Sequence, residues 1–330
     1  MSGPSKGDST TEACHICGNA RDNRRHIAKE TGLGLQTEFI YLECAACGCL
    51  QQPSIPCDIS TYYPPDYYSL GLPVMPRSLA QRTKQFLRTI RNRSYSEKSS
   101  VIGRILEARN PHSVFRFFWE LHPALDSNIL DVGCGSGSLL LDLHDLGFKN
   151  VLGIDPFIKK DIRYENGVRV LKRYLSDLTT TNWDVIMFHH SFEHVSNPVE
   201  TLQYVANALS SRGKCLIRIP VISWAWEQYG INWAQLDAPR HLFLHTEKSL
   251  RLVAQQAGLA VRRTEYDSDE FQFWGSELAM RNIPISSVNQ NTLKHLFRNC
   301  ELREYRKRSK ELNQQRRGDQ AVFYLSRTES

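Results

Sequence analysis

Short apolar runs, several closed by an acid or another polar residue, recur through residues 126–330, and most are followed by a stretch of helical period. The first is Ile129 to Val132 in N-I-L-D-V-G-C-G-S-G-S-L-L-L, after which Gly133, Gly135 and Gly137 lack a side chain at every second position. This predicts a buried strand, a glycine turn, and a helix from Ser138 to Leu146 stopped by Gly147. Asn150 to Asp155 reads as the second strand and W-D-V-I-M-F-H-H, Trp183 to His190, as the fourth. K-C-L-I-R-I-P, opened by Gly213 and closed by Pro220, reads as the fifth; Leu259 to Tyr266 and Gln320 to Ser326 read as the sixth and seventh. Helical patterns at Val199 to Leu209 and Glu247 to Ala257 fall between them. Such alternation implies parallel βαβ units in a doubly wound α/β sheet, whose ligands bind at the carboxyl ends of the strands.

The glycine turn suits a small polar cofactor. Without Cβ atoms the chain can take positive φ and a ligand can press against the backbone, while the N–H groups of the next helix point at it. The dinucleotide pattern G-x-G-x-x-G fails at Ser138; the pattern present is D-x-G-x-G-x-G, led by Asp131. V-L-G-I-D ends the second strand in Asp155, an acid placed to bind both hydroxyls of a ribose. Asp177 follows the run Val168 to Tyr174, and His189 and His190 end the fourth strand. Together these features resemble a class I S-adenosylmethionine-dependent methyltransferase. The resemblance implies a seven-stranded Rossmann-like domain with an antiparallel last strand, and a cofactor site of Asp131, Gly133, Gly135, Gly137, Asp155, Asp177 and His189.

The amino-terminal part carries different chemistry. Residues 1–11 are small and polar, a solvated, flexible tail. C-H-I-C-G at Cys14 to Gly18 and C-A-A-C-G at Cys44 to Gly48 are two copies of C-x-x-C-G. Each brings two thiolates together on a turn that its glycine accommodates, so Cys14, Cys17, Cys44 and Cys47 predict a tetrahedral Zn²⁺ site. Four thiolates close the coordination shell, which makes this zinc structural. Cys49, Cys57, His15 and His26 are bystanders. The reading is a zinc-ribbon-like module over 12–57, then a connector and helical lead-in over 58–125, then the methyltransferase domain over 126–330 with a helical insertion at about 268–317. In the connector, T-Y-Y-P-P-D-Y-Y-S-L offers Tyr67 and Tyr68 as lid residues or as packing, and residues 77–122 look helical and basic.

One long connection, from Ser223 to Thr246, is rich in aromatic and ionisable groups; long loops often carry function. Trp224, Tyr229 and Trp233 supply flat apolar walls suited to sugar rings or bases, and Arg240 an anion-binding fork. A hydroxyl acceptor must lose its proton, and histidine titrates near neutral pH. His241 is the first candidate base and His190 the second, with Asp237 as an orienting partner. Glu193 and His194 are assigned to organising the start of the following helix.

Composition narrows the partners little. The 330 residues contain 41 Lys and Arg against 35 Asp and Glu, a net of +6 that permits an anionic substrate without requiring one. Nine cysteines in a chain without a signal-peptide layout suit a reducing cytoplasm, and no apolar run is long enough for a membrane span.

Over nearly its whole length the chain is also similar to bacterial methyltransferases with an N-terminal C-x-x-C-G pair. The two cysteine pairs, D-V-G-C-G-S-G, S-F-E-H-V, D-A-P-R-H-L-F-L-H-T and R-R-G-D-Q-A-V-F-Y carry that resemblance. Members are commonly encoded beside genes for surface polysaccharide or nucleotide-sugar metabolism, which implies a small sugar-linked acceptor. Zinc-containing sugar C-methyltransferases are similar too, but have a Glu-His pair where this chain has Arg240-His241. An RNA methyltransferase, a sugar C-methyltransferase and a noncatalytic zinc scaffold are the alternatives. The fourth strand lacks an N-P-P-Y-like motif and a Pro-Cys nucleophile, which speaks against RNA.

Overall fold

The computed structural model describes residues 8–56, 58–63, 71–72, 78–96, 100–110 and 113–328. The chain opens with short strands β1 (Asp8–Thr10), β2 (Asn23–Lys29), β3 (Glu38–Glu43) and β4 (Leu50–Gln51). β2 and β3 pair antiparallel with His26 opposite Tyr41, and Tyr41 and Leu42 of β3 are buried while Phe39 and Ile40 are not. Helix α1 (Leu79–Asn92) starts at a capping box in which Ser78 and Gln81 satisfy each other's backbone N–H groups. Helix α2 (Val101–Arg109) crosses it closely at Gly103, where an added Cβ would lie 2.7 Å from the Ile90 carbonyl oxygen. Helix α3 is Ser113–Trp119.

The glycine turn lies between β5 (Ile129–Val132) and α4 (Ser138–Leu146), which Gly147 ends at φ 109°. The following elements are β6 (Val151–Ile154), β7 (Ile162–Arg163), β8 (Arg169–Leu171), β9 (Trp183–His189), α5 (Pro198–Ala208) and β10 (Leu209–Pro220). Next come α6 (Trp224–Tyr229), β11 (Phe243–Leu244), α7 (Glu247–Gln256), β12 (Leu259–Tyr266) and α8 (Phe271–Met280). The chain closes with α9 (Gln290–Leu296), α10 (Asn299–Gln314) and β13 (Gln320–Arg327).

The larger sheet has the order β12-β13-β10-β9-β5-β6-β8-β7, and β5 pairs parallel with both β6 and β9. The late seventh strand, β13, inserts between the fifth and sixth, β10 and β12. The two-residue β7, antiparallel to β8, makes the sheet eight-stranded where seven strands were expected. The smaller sheet runs β1-β2-β3-β4-β11.

Two expectations change. The helical insertion expected at about 268–317 is broken near Phe297, because Phe297 turns into a buried cluster with Leu278 and Leu302 and Arg298 takes extended backbone as the N-cap of α10. The Ser223–Thr246 connection is ordered: it contains α6, two 3-10 turns, and β11, which pairs antiparallel with β4.

The chain divides into two compact units. The first comprises the described residues of Met1–Pro64, Phe192–Leu202 and Arg218–Phe323; the second those of Pro65–Ser191, Gln203–Ile217 and Tyr324–Ser330. Ala28, Tyr41, Leu50, Trp226, Trp233, Leu236 and Leu244 form one buried core within the first. Among the described residues, no helix is long and apolar enough to cross a membrane.

Candidate active site

In the second unit the chain leaves β5 through three left-handed glycines, Gly133 at φ 73°, Gly135 at 55° and Gly137 at 87°. Two of them answer to close approach as well as to backbone angle. A Cβ on Gly133 would lie 2.4 Å from that of Ser191, and one on Gly137 would lie 2.7 Å from Val170 Cγ2. Asp155 is buried, and its oxygens accept the Gly135 N–H at 2.8 Å and the Phe157 N–H at 2.8 Å, which ties the turn to the end of β6. Asp131 is 3% exposed; burial, with the charge of Asp155, pushes its carboxyl up to about 7. At the end of β9 stand half-buried His189 and then His190, whose φ is 52°. Ser191 Oγ donates to the Val132 carbonyl at 2.6 Å, fastening that end to β5. The structure therefore brings together Asp131, the glycines, Asp155 and the segment His189–Ser191. Asp177 is exposed in a 3-10 turn, with one carboxylate oxygen taking the Tyr174 N–H.

In the first unit the two cysteine turns repeat one geometry. Gly18 N–H donates to the Cys14 carbonyl and Gly48 N–H to the Cys44 carbonyl, with φ of 72° and 73° at the two glycines. Cys14 N–H donates to Asn19 and Cys44 N–H to Cys49, so Cys49 occupies the place of Asn19 in the other turn. The Cys14–Cys47 and Cys17–Cys44 sulfurs are 3.7 Å and 3.4 Å apart, and all four lie within 4.8 Å of one another.

A second polar group surrounds His241 in this unit. His241 is 6% exposed, and its Nδ1 lies 2.7 Å from the Gln235 carbonyl oxygen. Its Nε2 faces Asp237 Oδ2 at 3.6 Å and Glu193 Oε1 at 3.8 Å. Burial lowers its pKa to about 4, against the pull of Asp237. Asp237, at φ 43°, also pairs with Arg240 at 2.5 Å; burial raises its pKa, but Arg240 and His241 outweigh that and leave it lowered. His194 stacks edge-on to His241 at 4.9 Å, with its Nδ1 at 2.8 Å from the Arg240 carbonyl oxygen and 3.2 Å from the Tyr63 hydroxyl.

Residues 82–264 match the sequence model of a family described as a methyltransferase domain. The chain belongs to that methyltransferase-domain family. A search of curated proteins finds no match. Among solved structures, the chain is similar to an S-adenosylmethionine-dependent methyltransferase from Mesorhizobium loti, with 15% identity over 66% of this chain and 99% of that one, TM-score 0.42. It is similar to a 1,6-didemethyltoxoflavin-N1-methyltransferase from Burkholderia thailandensis, solved with 1,6-didemethyltoxoflavin and S-adenosylhomocysteine bound; identity is 12% over 78% of this chain and 94% of that one, TM-score 0.40. A methyltransferase from Archaeoglobus fulgidus shares 18% identity over 71% of this chain and 97% of that one, TM-score 0.41.

The protein is thus a methyltransferase with a Rossmann-like fold, and S-adenosylmethionine is the cofactor that this methyltransferase fold is expected to bind. The residues present fit it: a turn whose Cβ atoms are absent where the backbone is tightest, beside two buried acids. The cysteines fit zinc equally well. Four sulfurs at ~2.3 Å from a tetrahedral ion lie ~3.8 Å apart, close to the spacings here.

The expected acceptor residues separate. Trp233 is buried in the core of the first unit, and its indole N–H donates to Asp319 Oδ2 at 2.9 Å, so it is a packing residue and not a wall. Trp224 and half-buried Tyr229 meet edge to face at 6.1 Å. Trp224 lines a cavity of about 240 Å³ with Arg308, Glu311, Leu312, Gln315 and Arg317, and the Arg308 guanidinium sits 4.8 Å over its ring. Arg308, Glu311 and Leu312 come from α10, on which Arg308 and Glu311 lie three apart on one face. Arg240 is turned inward onto Asp237. Tyr67 and Tyr68 lie outside the described residues. Glu193 was assigned to a helix start, yet it is fully buried beside His241.

Proposed function

We propose that this protein transfers the methyl group of S-adenosylmethionine to a hydroxyl of a small, sugar-linked acceptor in the cytoplasm. The observation that carries the reading is the left-handed glycine turn with Asp131 and Asp155 buried beside it. In this reading Asp131 takes the cofactor's ammonium and Asp155 its ribose hydroxyls. The two backbone N–H groups that Asp155 accepts orient its carboxylate and leave a lone pair on each oxygen. His189 and Asp177 flank the purine end. Methyl transfer is an in-line displacement, so the enzyme's work is to hold acceptor oxygen and methyl carbon close in a site with little water.

Of the two candidate bases, His190 suits the task better. It adjoins Ser191, which packs against Gly133, whereas His241 has a carbonyl at one nitrogen and carboxylates at the other. A sugar-linked acceptor rests on the resemblance given above; the Trp224 cavity offers it an aromatic residue with Arg308 over its ring, while Arg317 is paired with Glu227. Structural zinc on Cys14, Cys17, Cys44 and Cys47 would brace the 12–57 module.

Calorimetric titration with S-adenosylmethionine and S-adenosylhomocysteine, on wild type and Asp155→Ala, tests the site. Both ligands should bind wild type, and the variant should lose at least about tenfold in affinity, ~1.4 kcal/mol. An acceptor screen of nucleotide sugars by mass then follows. No binding to a folded sample would sink the catalytic reading, and methylation of RNA alone would sink the sugar reading.

A further inference from the structure

We propose that Glu193, His194 and His241 form a second metal site, separate from the four cysteines, that takes a divalent transition-metal ion. One carboxylate oxygen and one nitrogen of each imidazole lie within 4.8 Å of one another. Glu193 is 0% exposed and His241 6% exposed. Metal–nitrogen and metal–oxygen bonds of ~2.1 Å put tetrahedral ligand atoms about 3.4 Å apart. The 3.8 Å between His241 Nε2 and Glu193 Oε1 needs only a small contraction to reach that.

The surroundings prepare the ligands. A carbonyl oxygen only accepts, so the Gln235 and Arg240 carbonyls at 2.7 Å and 2.8 Å place a hydrogen on Nδ1 of His241 and of His194. Each ring then keeps its lone pair on Nε2, the arrangement that backbone partners impose on ligating histidines. The backbone is fixed as well. The Leu242 N–H donates to the Glu193 carbonyl at 2.8 Å, and the Tyr41 hydroxyl donates to the His241 carbonyl at 2.8 Å. The first bond joins the two ligand-bearing segments, and the second ties His241 to β3.

Arg240 pairs with Asp237 at 2.5 Å. Asp237 Oδ2, 3.6 Å from His241 Nε2, stands as an outer acid. Two imidazoles and one carboxylate, without sulfur, select Zn²⁺, Mn²⁺, Fe²⁺ or Co²⁺ over Cu(I), and three protein ligands leave positions for water or a substrate oxygen. The cysteine site, with four ligands, leaves none.

Metal counting on the full-length protein tests the site, with no acceptor needed. The purified chain is equilibrated with zinc alone or cobalt alone, weakly held ion is removed by gel filtration, and bound metal is measured by plasma mass spectrometry. Wild type should retain two equivalents. In the cobalt form the first equivalent brings thiolate-to-metal charge-transfer absorption; the second adds only weak ligand-field bands. Glu193→Gln and His194→Gln should each drop to one equivalent and keep the thiolate bands, which also report that the fold survives. Cys17→Ser should lose the thiolate bands first. A wild type that saturates at one equivalent bound to sulfur overturns the site, as does a second equivalent that persists in both variants.

Discussion

At the scale of single residues, buried ionisable groups set how this protein responds to pH. Asp319 is 1% exposed, and burial pushes its carboxyl up to about 7 despite the bond from the Trp233 indole. Between about pH 4 and 7 the unfolded chain has this group ionised while the folded chain keeps it protonated, so its contribution to stability falls as pH rises through that window. Asp319→Asn removes the penalty and keeps an acceptor for Trp233. Relative to wild type, the variant should gain stability from pH 5 to pH 8 by on the order of 2 kcal/mol, read from denaturant midpoints; an unchanged difference would refute the assignment. Asp131 carries the same sign. His241 and His245, both lowered to about 4 by burial, carry the opposite one, which is why the comparison is with wild type at each pH. Gly133 is the other sensitive residue. Its φ of 73° and the 2.4 Å approach of Ser191 Cβ leave no room for a side chain. Gly133→Ala should lower the melting temperature and weaken S-adenosylmethionine binding more than tenfold by calorimetry, because the left-handed backbone alone costs alanine roughly 1–2 kcal/mol.

At the scale of elements, the first unit depends on joints between segments far apart in the chain. Thr246 caps α7, accepting the Ser249 N–H at 3.0 Å, and its hydroxyl donates to the Cys47 carbonyl at 2.7 Å. One side chain thus closes a helix end and holds a cysteine turn. Thr246→Ala should cost roughly 1–2 kcal/mol of unfolding free energy, while Thr246→Ser should recover most of it; equal losses in the two variants would show that the methyl group matters, not the hydroxyl. The same unit shows why the Ser223–Thr246 segment is not a free loop. It supplies Trp226, Trp233, Leu236 and Leu244 to a core that also contains Tyr41 and Leu50, so its aromatic richness mostly serves burial. Trp224 is the aromatic residue left to line a cavity.

At the scale of the whole molecule, a zinc bound by the cysteines would be a stability element, because its turns belong to the same unit as the buried tryptophans. Stripping metal with a strong chelator should therefore shift Trp226 and Trp233 fluorescence and lower the melting temperature, with recovery on adding Zn²⁺; a spectrum indifferent to chelation would separate the cysteines from folding. The alternating strands and helices, the glycine turn, the late seventh strand and both cysteine turns were legible in the sequence, because each is set by residues within a few positions: the period of apolar side chains, glycine's access to positive φ, and the reach of a C-x-x-C turn. Other features were decided only in three dimensions. These are the pairing of β4 with β11, the burial of Trp233 against Asp319, the Arg308–Trp224 cavity, and the meeting of Glu193 with His241. In each the partners are tens to hundreds of residues apart, and no local pattern marks which of several aromatic or charged side chains will be enclosed. That choice belongs to the packing of the core, which buries some of these groups and leaves chemically identical neighbours at the surface.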